Sequence, residues 1–186
     1  FRCVAALSPS LREGFGMGAG LYTRRYAANT AGRQVMTVHL FNELSVMKKY
    51  IRVFAPGTVA NLGCGFDVMG LTLDGVGDLL EIGAEEGAEG LEIRNLSGMN
   101  LPENVEDNVI TPALRAMLAA YGRPVRIEIT MLKKIAPGSG IGSSAASSAA
   151  AVYGLNELLD RPFSGKELVE FAMMGEALIG GTPHAD

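Results

Sequence analysis

Between residues 137 and 147 the chain reads Pro-Gly-Ser-Gly-Ile-Gly-Ser-Ser-Ala-Ala-Ser, and no other stretch restricts the fold as tightly. Three glycines at alternate positions, Gly138, Gly140 and Gly142, permit positive φ and let the backbone come close to a ligand. The alanine- and leucine-rich segment Ala145–Leu159 follows at once and reads as a helix. Such a helix aims its first-turn amides and the positive end of its dipole at whatever lies over the loop, which suits a phosphate. Ser143 and Ser144 bring hydroxyls to the same place. No lysine follows the last glycine, so the loop is not a Walker A motif, and the third glycine comes one position early for G-x-G-x-x-G. A triphosphate held there needs its charge offset by Mg²⁺, and Mg²⁺ calls for a carboxylate.

The surrounding pattern is α+β. Tyr50–Ala55, Val68–Leu73, Asp78–Ala84, Leu91–Leu96 and Val125–Met131 read as short strands, with a loop over Pro56–Asp67. Thr111–Tyr121 reads as a helix with Pro112 in its first turn and Gly122 as its stop. Ser164-Gly165-Lys166-Glu167 is a capping box that opens a last helix running to about Leu178. At 186 residues and 48% hydrophobic the chain can bury a core and is no disordered segment, and no apolar run approaches the ~18 residues of a membrane span. The net charge of −4 is too acidic for a nucleic-acid-binding face. Two cysteines, Cys3 and Cys64, make no disulfide framework, so a cytoplasmic protein is expected. The charge is uneven. Residues 1–46 carry five arginines, no lysine and two acids, and show no sustained period, so this leader is expected to lie outside the fold. The folded unit is expected to begin near Met47 and to occupy 47–186.

A second constellation, Asn61-Leu62-Gly63-Cys64-Gly65-Phe66-Asp67, is a tight glycine loop that presents one amide and one carboxylate. Those groups can orient a small amine and alcohol, or they can serve an Asx-turn that satisfies its own backbone. A methyltransferase loop of the L-G-C-G-x-G type fits less well, because Asn61 stands where the acid belongs and a strand-like alternation follows in place of a helix.

Three segments occur in order: P-G-T-V-A-N-L-G-C-G-F-D-V-M-G (56–70), P-G-S-G-I-G-S-S-A-A-S (137–147) and E-A-L-I-G-G-T-P-H-A-D (176–186). Together they resemble the GHMP kinase superfamily and, within it, the homoserine kinase family. The resemblance runs from Met47 to the end. It departs mildly in the second motif, where Pro137 directly precedes Gly138 and Ile141 stands in place of leucine. It implies an N-terminal domain of the two-layer fold also found in ribosomal protein S5 domain 2, incomplete at its C-terminus, and it implies ATP and Mg²⁺. Pro137, Gly138, Ser139, Gly140, Ile141, Gly142, Ser143, Ser144, Ala145 and Ala146 would wrap the ATP phosphates. Ser144 and Glu176 would be the Mg²⁺ ligands and the groups closest to the chemistry. Asn61, Asp67 and His184 would hold the amino-acid substrate, and Asn108 would lie at the adenine. Asp186 is one position short of the place where related kinases carry a base, so no base is assigned.

The implied activity is phosphorylation of L-homoserine on the way to threonine, in an enzyme that forms a homodimer at full length and binds neither nucleic acid nor membrane. A mevalonate-type kinase is the nearest alternative, argued against by Asp67; a nucleotide-binding relative without catalysis is another. The resemblance also implies a two-lobed protein of about double the length from Met47, so the 186-residue chain by itself is expected to be inactive.

Overall fold

A computed structural model describes residues 39–42, 49–102 and 104–180. Five strands form one sheet: β1 (His39–Asn42), β2 (Lys49–Leu62), β3 (Gly65–Glu86), β4 (Gly90–Asn95) and β5 (Val125–Lys133), in the order β1-β2-β3-β5-β4. All neighbours are antiparallel except β4 and β5, which run parallel. Among the described residues the α-helices are α1 (Ile110–Tyr121), α2 (Ser143–Leu158) and α3 (Gly165–Gly180), with a short 3-10 turn over Val105–Asp107 before α1.

Strand alternation decides which face is covered. Ile51 and Val53 of β2, Leu80 and Ile82 of β3, and Ile127, Ile129 and Met131 of β5 are buried, and they join Ile110, Leu114 and Met117 of α1 and Ala150, Ala151 and Leu155 of α2 in one core. The intervening residues line the other face, where Arg52 Nε donates to Glu81 Oε2 at 2.7 Å. The result is two layers, helices over a mostly antiparallel sheet, as the α+β expectation requires.

The stretch Pro56–Asp67, expected as a loop, is instead the far end of a long two-stranded ribbon. The β2–β3 ladder runs from Lys49↔Ala84 out to Leu62↔Gly65, with register shifts at Pro56/Thr58 and Ala60/Leu62. Proline and glycine here mark irregularities in the ladder, where a missing N–H or a small side chain is tolerated, and not the end of a strand. For the same reason Val68–Leu73 and Asp78–Ala84 belong to one strand, with Gly75 at φ +68° inside it. β1 falls within 1–46, the segment expected to lie outside the fold, and it joins the sheet because its backbone can pair along the open edge of β2. Its backbone pairs His39 with Arg52 and Asn42 with Lys49 along the outer edge of β2.

The helices start and stop largely where local chemistry directs. Gly122 closes α1 at φ +70°, its N–H bonded to Leu118 O. The capping box before α3 is formed in both directions: Glu167 Oε2 accepts from Ser164 N–H at 2.8 Å, and Ser164 Oγ accepts from Glu167 N–H at 3.4 Å. The Ser164 hydroxyl, which also donates to Glu167 Oε2 at 2.7 Å, and then the Ser164 N–H hold the Glu167 carboxyl below the usual carboxylate range. Ser164→Ala removes the cap, and should cost about 1 kcal/mol and lower the melting temperature by about 2–4 °C. A thermal melt identical to that of the unaltered chain would show that α3 does not depend on it.

Candidate active site

The glycine-serine segment joins the end of β5 to α2, and the structure gives it the expected form. Gly138, Gly140 and Gly142 take φ +75°, +73° and +65°. α2 begins two residues earlier than its alanine run suggests, with Gly142 as N-cap and Ser143 and Ser144 as its first two residues. The first helical hydrogen bond runs from Ala146 N–H to Gly142 O at 2.9 Å, so the amides of Ser143, Ser144 and Ala145 head the helix without an intrahelical acceptor. No side chain caps this end. Pro137 to Gly140 are exposed, so the loop and the helix terminus face open space together.

The two hydroxyls at the helix head go to different places. Ser144 Oγ donates to Glu176 Oε2 at 2.9 Å across 32 residues of sequence, and Glu176 is only 4% exposed. Ser143 Oγ turns under the loop, where it donates to Ile135 O and accepts from Lys134 Nζ. Of the two serines, then, only Ser144 meets the carboxylate.

Close packing of α3 on α2 makes that meeting possible. A Cβ at Gly175 would lie 2.2 Å from Ser148 Oγ and 2.5 Å from Val109 O, so only glycine lets α3 come this near. Ser148 Oγ in turn donates to Val109 O at 3.3 Å, which ties α2 to the entry of α1. Asn108 sits at that entry, 5% exposed, with Oδ1 accepting from Ile110 N–H at 3.1 Å. Its side chain is engaged with the backbone that starts α1.

The ribbon of β2 and β3 reaches the same loop from the other side. Thr58 N–H donates to Ile141 O at 3.1 Å, and a Cβ on Gly142 would lie 2.1 Å from Thr58 Oγ1. Beyond this contact the ribbon carries Asn61, exposed and at φ +59°. The side chain of Asp67 and the whole of His184 and Asp186 lie outside the described residues, so Asn61 is the one amino-acid-binding candidate whose side chain is placed.

Sequence reasoning missed a charge. Lys134 Nζ lies 2.8 Å from Asp78 Oδ2 and donates to Ser143 O at 2.6 Å, with the two side chains 4% and 0% exposed. Burial pushes the Lys134 ammonium below the ordinary lysine range, opposed by Asp78 and then by Glu176. Strand alternation puts Lys133 inward with Met131 and Lys134 outward. The ladder, however, passes from Leu80↔Met131 to Leu79↔Lys133, and the extra residue Leu132 reverses the facing beyond it. A bulge of this kind leaves no mark in composition.

Comparisons with known proteins give the chain its relatives. Residues 108–186 match the family described as GHMP kinases N terminal domain. A homoserine kinase of Methanococcus maripaludis is 39% identical over 140 residues, which cover 75% of this chain and 46% of that protein. One from Natronomonas pharaonis is 44% identical over 136 residues, covering 73% and 44%. The crystal structure of homoserine kinase from Cytophaga hutchinsonii superposes with a TM-score of 0.61 at 38% identity, over 77% of this chain and 45% of that one. Over residues 108–186 the chain carries a GHMP kinase N-terminal domain. Its curated relatives named here are homoserine kinases, and the chain spans a little under half of their length.

Two glycines of α3 separate close packing from helix propensity. Gly175→Ala should force α3 away from α2, cost about 1–3 kcal/mol of stability and break the Ser144–Glu176 contact. Gly165→Ala, where a Cβ meets nothing within 4 Å, should be neutral or stabilising. Equal melting temperatures for the two variants would contradict the close approach.

Proposed function

We propose that the protein transfers the γ-phosphoryl group of ATP to the hydroxyl of L-homoserine, giving O-phospho-L-homoserine and ADP on the route to threonine. The observation that carries the reading is the hydrogen bond between Ser144 and Glu176 at the open head of α2. It places one hydroxyl and one buried carboxylate beside a loop of three left-handed glycines. The choice of homoserine over other alcohols rests on the N-L-G-x-G-F-D segment of the ribbon and on the 39–44% identity to homoserine kinases.

The donor set fits Mg²⁺ bound together with a nucleotide. Among the described residues no group of three or more His, Cys, Asp and Glu side chains could hold a metal unaided. Mg²⁺ is commonly held by one or two carboxylates and the substrate's own phosphates, so Ser144 and Glu176 suffice as the protein's share. Bound there, it would offset the charge of the β- and γ-phosphates.

In this reading the backbone from Gly138 to Ala146 holds the phosphates, and the amides of Ser143, Ser144 and Ala145 stabilise negative charge through the helix terminus. Asn61, Asp67 and His184 hold homoserine, with Asp67 facing its ammonium, and Asn108 lies by the adenine. The homoserine oxygen attacks phosphorus, the bond to the β–γ bridging oxygen breaks, ADP leaves, and the hydroxyl proton is released. No side chain is assigned as base; in-line positioning carries the rate. The nucleotide-binding site is built within residues 47–186, and the segment 1–46, though it lends β1 to the sheet, takes no part in it. The substrates are small molecules, and we place the enzyme in the cytoplasm.

Radiolabelled ATP and a panel of amino acids and alcohols test the reading in the protein at its natural full length. Homoserine should be the best acceptor; a preference for mevalonate, or no transfer at all, would overturn it. Asp67→Asn keeps shape and loses a charge-assisted contact of roughly 1.5–3 kcal/mol, so the KM for homoserine should rise about ten- to a hundredfold. ATP affinity should stay within about twofold on the same grounds. A collapse of ATP affinity with normal homoserine affinity would mean that the two loops have exchanged roles.

A further inference from the structure

Beneath the phosphate loop lies a polar cluster that the reaction itself does not use. Asp78 on β3 is fully buried, and its carboxylate is surrounded by donors. Oδ1 accepts from Ile135 N–H at 2.7 Å; Oδ2 accepts from Lys134 Nζ at 2.8 Å and from Ser147 Oγ. Lys134 Nζ also reaches Ser143 O and Ser143 Oγ, and Ser143 Oγ donates onward to Ile135 O at 3.0 Å.

The arrangement is notable for where these bonds end. Lys134 and Ile135 are the residues through which the chain leaves β5, while Ser143 and Ser147 occupy the first turns of α2. The side-chain hydrogen bonds of the Asp78–Lys134 pair therefore end on residues that flank the segment 136–142 on one side or the other. Between those ends the segment makes few backbone bonds: Ser139 N–H donates to Ala136 O at 3.2 Å, Ile141 O accepts from Thr58, and Gly142 O accepts from Ala146 as α2 begins. Three left-handed glycines give it no rigidity of its own.

A buried ion pair is a poor source of net stability, because desolvation offsets most of the attraction, but it is highly directional. An apolar pair of the same volume would fill this space. It would not fix the distance between the exit of β5 and the head of α2, which sets where the Ser143, Ser144 and Ala145 amides point.

We propose that Asp78 and Lys134 are positioning residues: a buried clamp that holds both ends of the phosphate loop, so that the α2 terminus is arranged for a nucleotide before one arrives. The proposal rests on the phosphate-binding reading of that loop. The clamp touches no phosphate. It acts through Ser143, whose hydroxyl it occupies, and leaves Ser144 for Glu176.

The test compares Lys134→Met and Asp78→Asn with Ile129→Val, a core variant on β5 away from the loop that supplies a general loss of stability. In the full-length protein, amide hydrogen exchange over 138–147 should accelerate about tenfold or more in the clamp variants while α1 follows the core variant. The Kd for MgADP should rise about tenfold and the KM for homoserine should change less than about twofold, a split that a merely structural role would not produce. If the charge variants fail to fold, Ser147→Ala, which removes one bond to Asp78 and keeps both charges, should raise loop exchange about threefold. Loop exchange no faster than in Ile129→Val would overturn the proposal. An unaltered protein that binds no MgADP would instead overturn the phosphate-loop reading, a result distinct from the first because the exchange comparison needs no ligand.

Discussion

A carboxylate removed from water persists only where something returns what hydration supplied, and Glu176 makes that exchange at the head of α2. It is 4% exposed and accepts from Ser144 Oγ, in the field of a helix terminus whose positive end favours negative charge. To reach that point α3 has to lie closer to α2 than any side chain at position 175 would allow. The packing of three helices is thereby tied to the chemistry of one oxygen. The core beneath serves the same geometry, because the sheet residues that α2 covers, Ile51, Val53, Leu80 and Ile82, fix where its first turn emerges.

The polar layer under the loop extends this dependence into the sheet. Asp78 and Lys134 face each other only because Leu132 is an extra residue in the β5 ladder. A regular strand would turn Lys134 to the opposite face and leave Asp78 buried without its cation. One bulge thus supplies the positive charge that the loop itself lacks, at a depth where it organises backbone and does not meet solvent. On the other flank the ribbon of β2 and β3 rests on Ile141 through Thr58, so the segment bearing Asn61 and the segment bearing the glycines share a hydrogen bond.

What was legible in the sequence was what local chemistry decides. The glycine-serine run, the capping box at Ser164 and Glu167, and the stop at Gly122 depend on residues within a few positions of one another, and the structure forms each of them. The pairing of Ser144 with Glu176 followed from the family resemblance and from the charge requirement of a loop without lysine, not from spacing. The ribbon is not legible, because proline and glycine signal an irregular backbone without saying whether a ladder continues past it. Lys134 is not legible, because strand period alone points it to the wrong face and the ladder shift that corrects this has no sequence signal. Asp67 and His184 were proposed on resemblance, and their side chains lie outside the described residues.

The central claim is that the Ser144–Glu176 pair marks the place where metal and nucleotide meet. Mn²⁺ can stand in for Mg²⁺ and broadens the NMR signals of nearby amides. In an isotopically labelled, full-length sample titrated with MnADP, amides of 138–146 and 174–178 should broaden first, while those on the open sheet face around Glu81, Glu92 and Glu128 should stay sharp. Broadening centred on that acidic face, or an unchanged spectrum around Ser144 at saturating MnADP, would contradict the account.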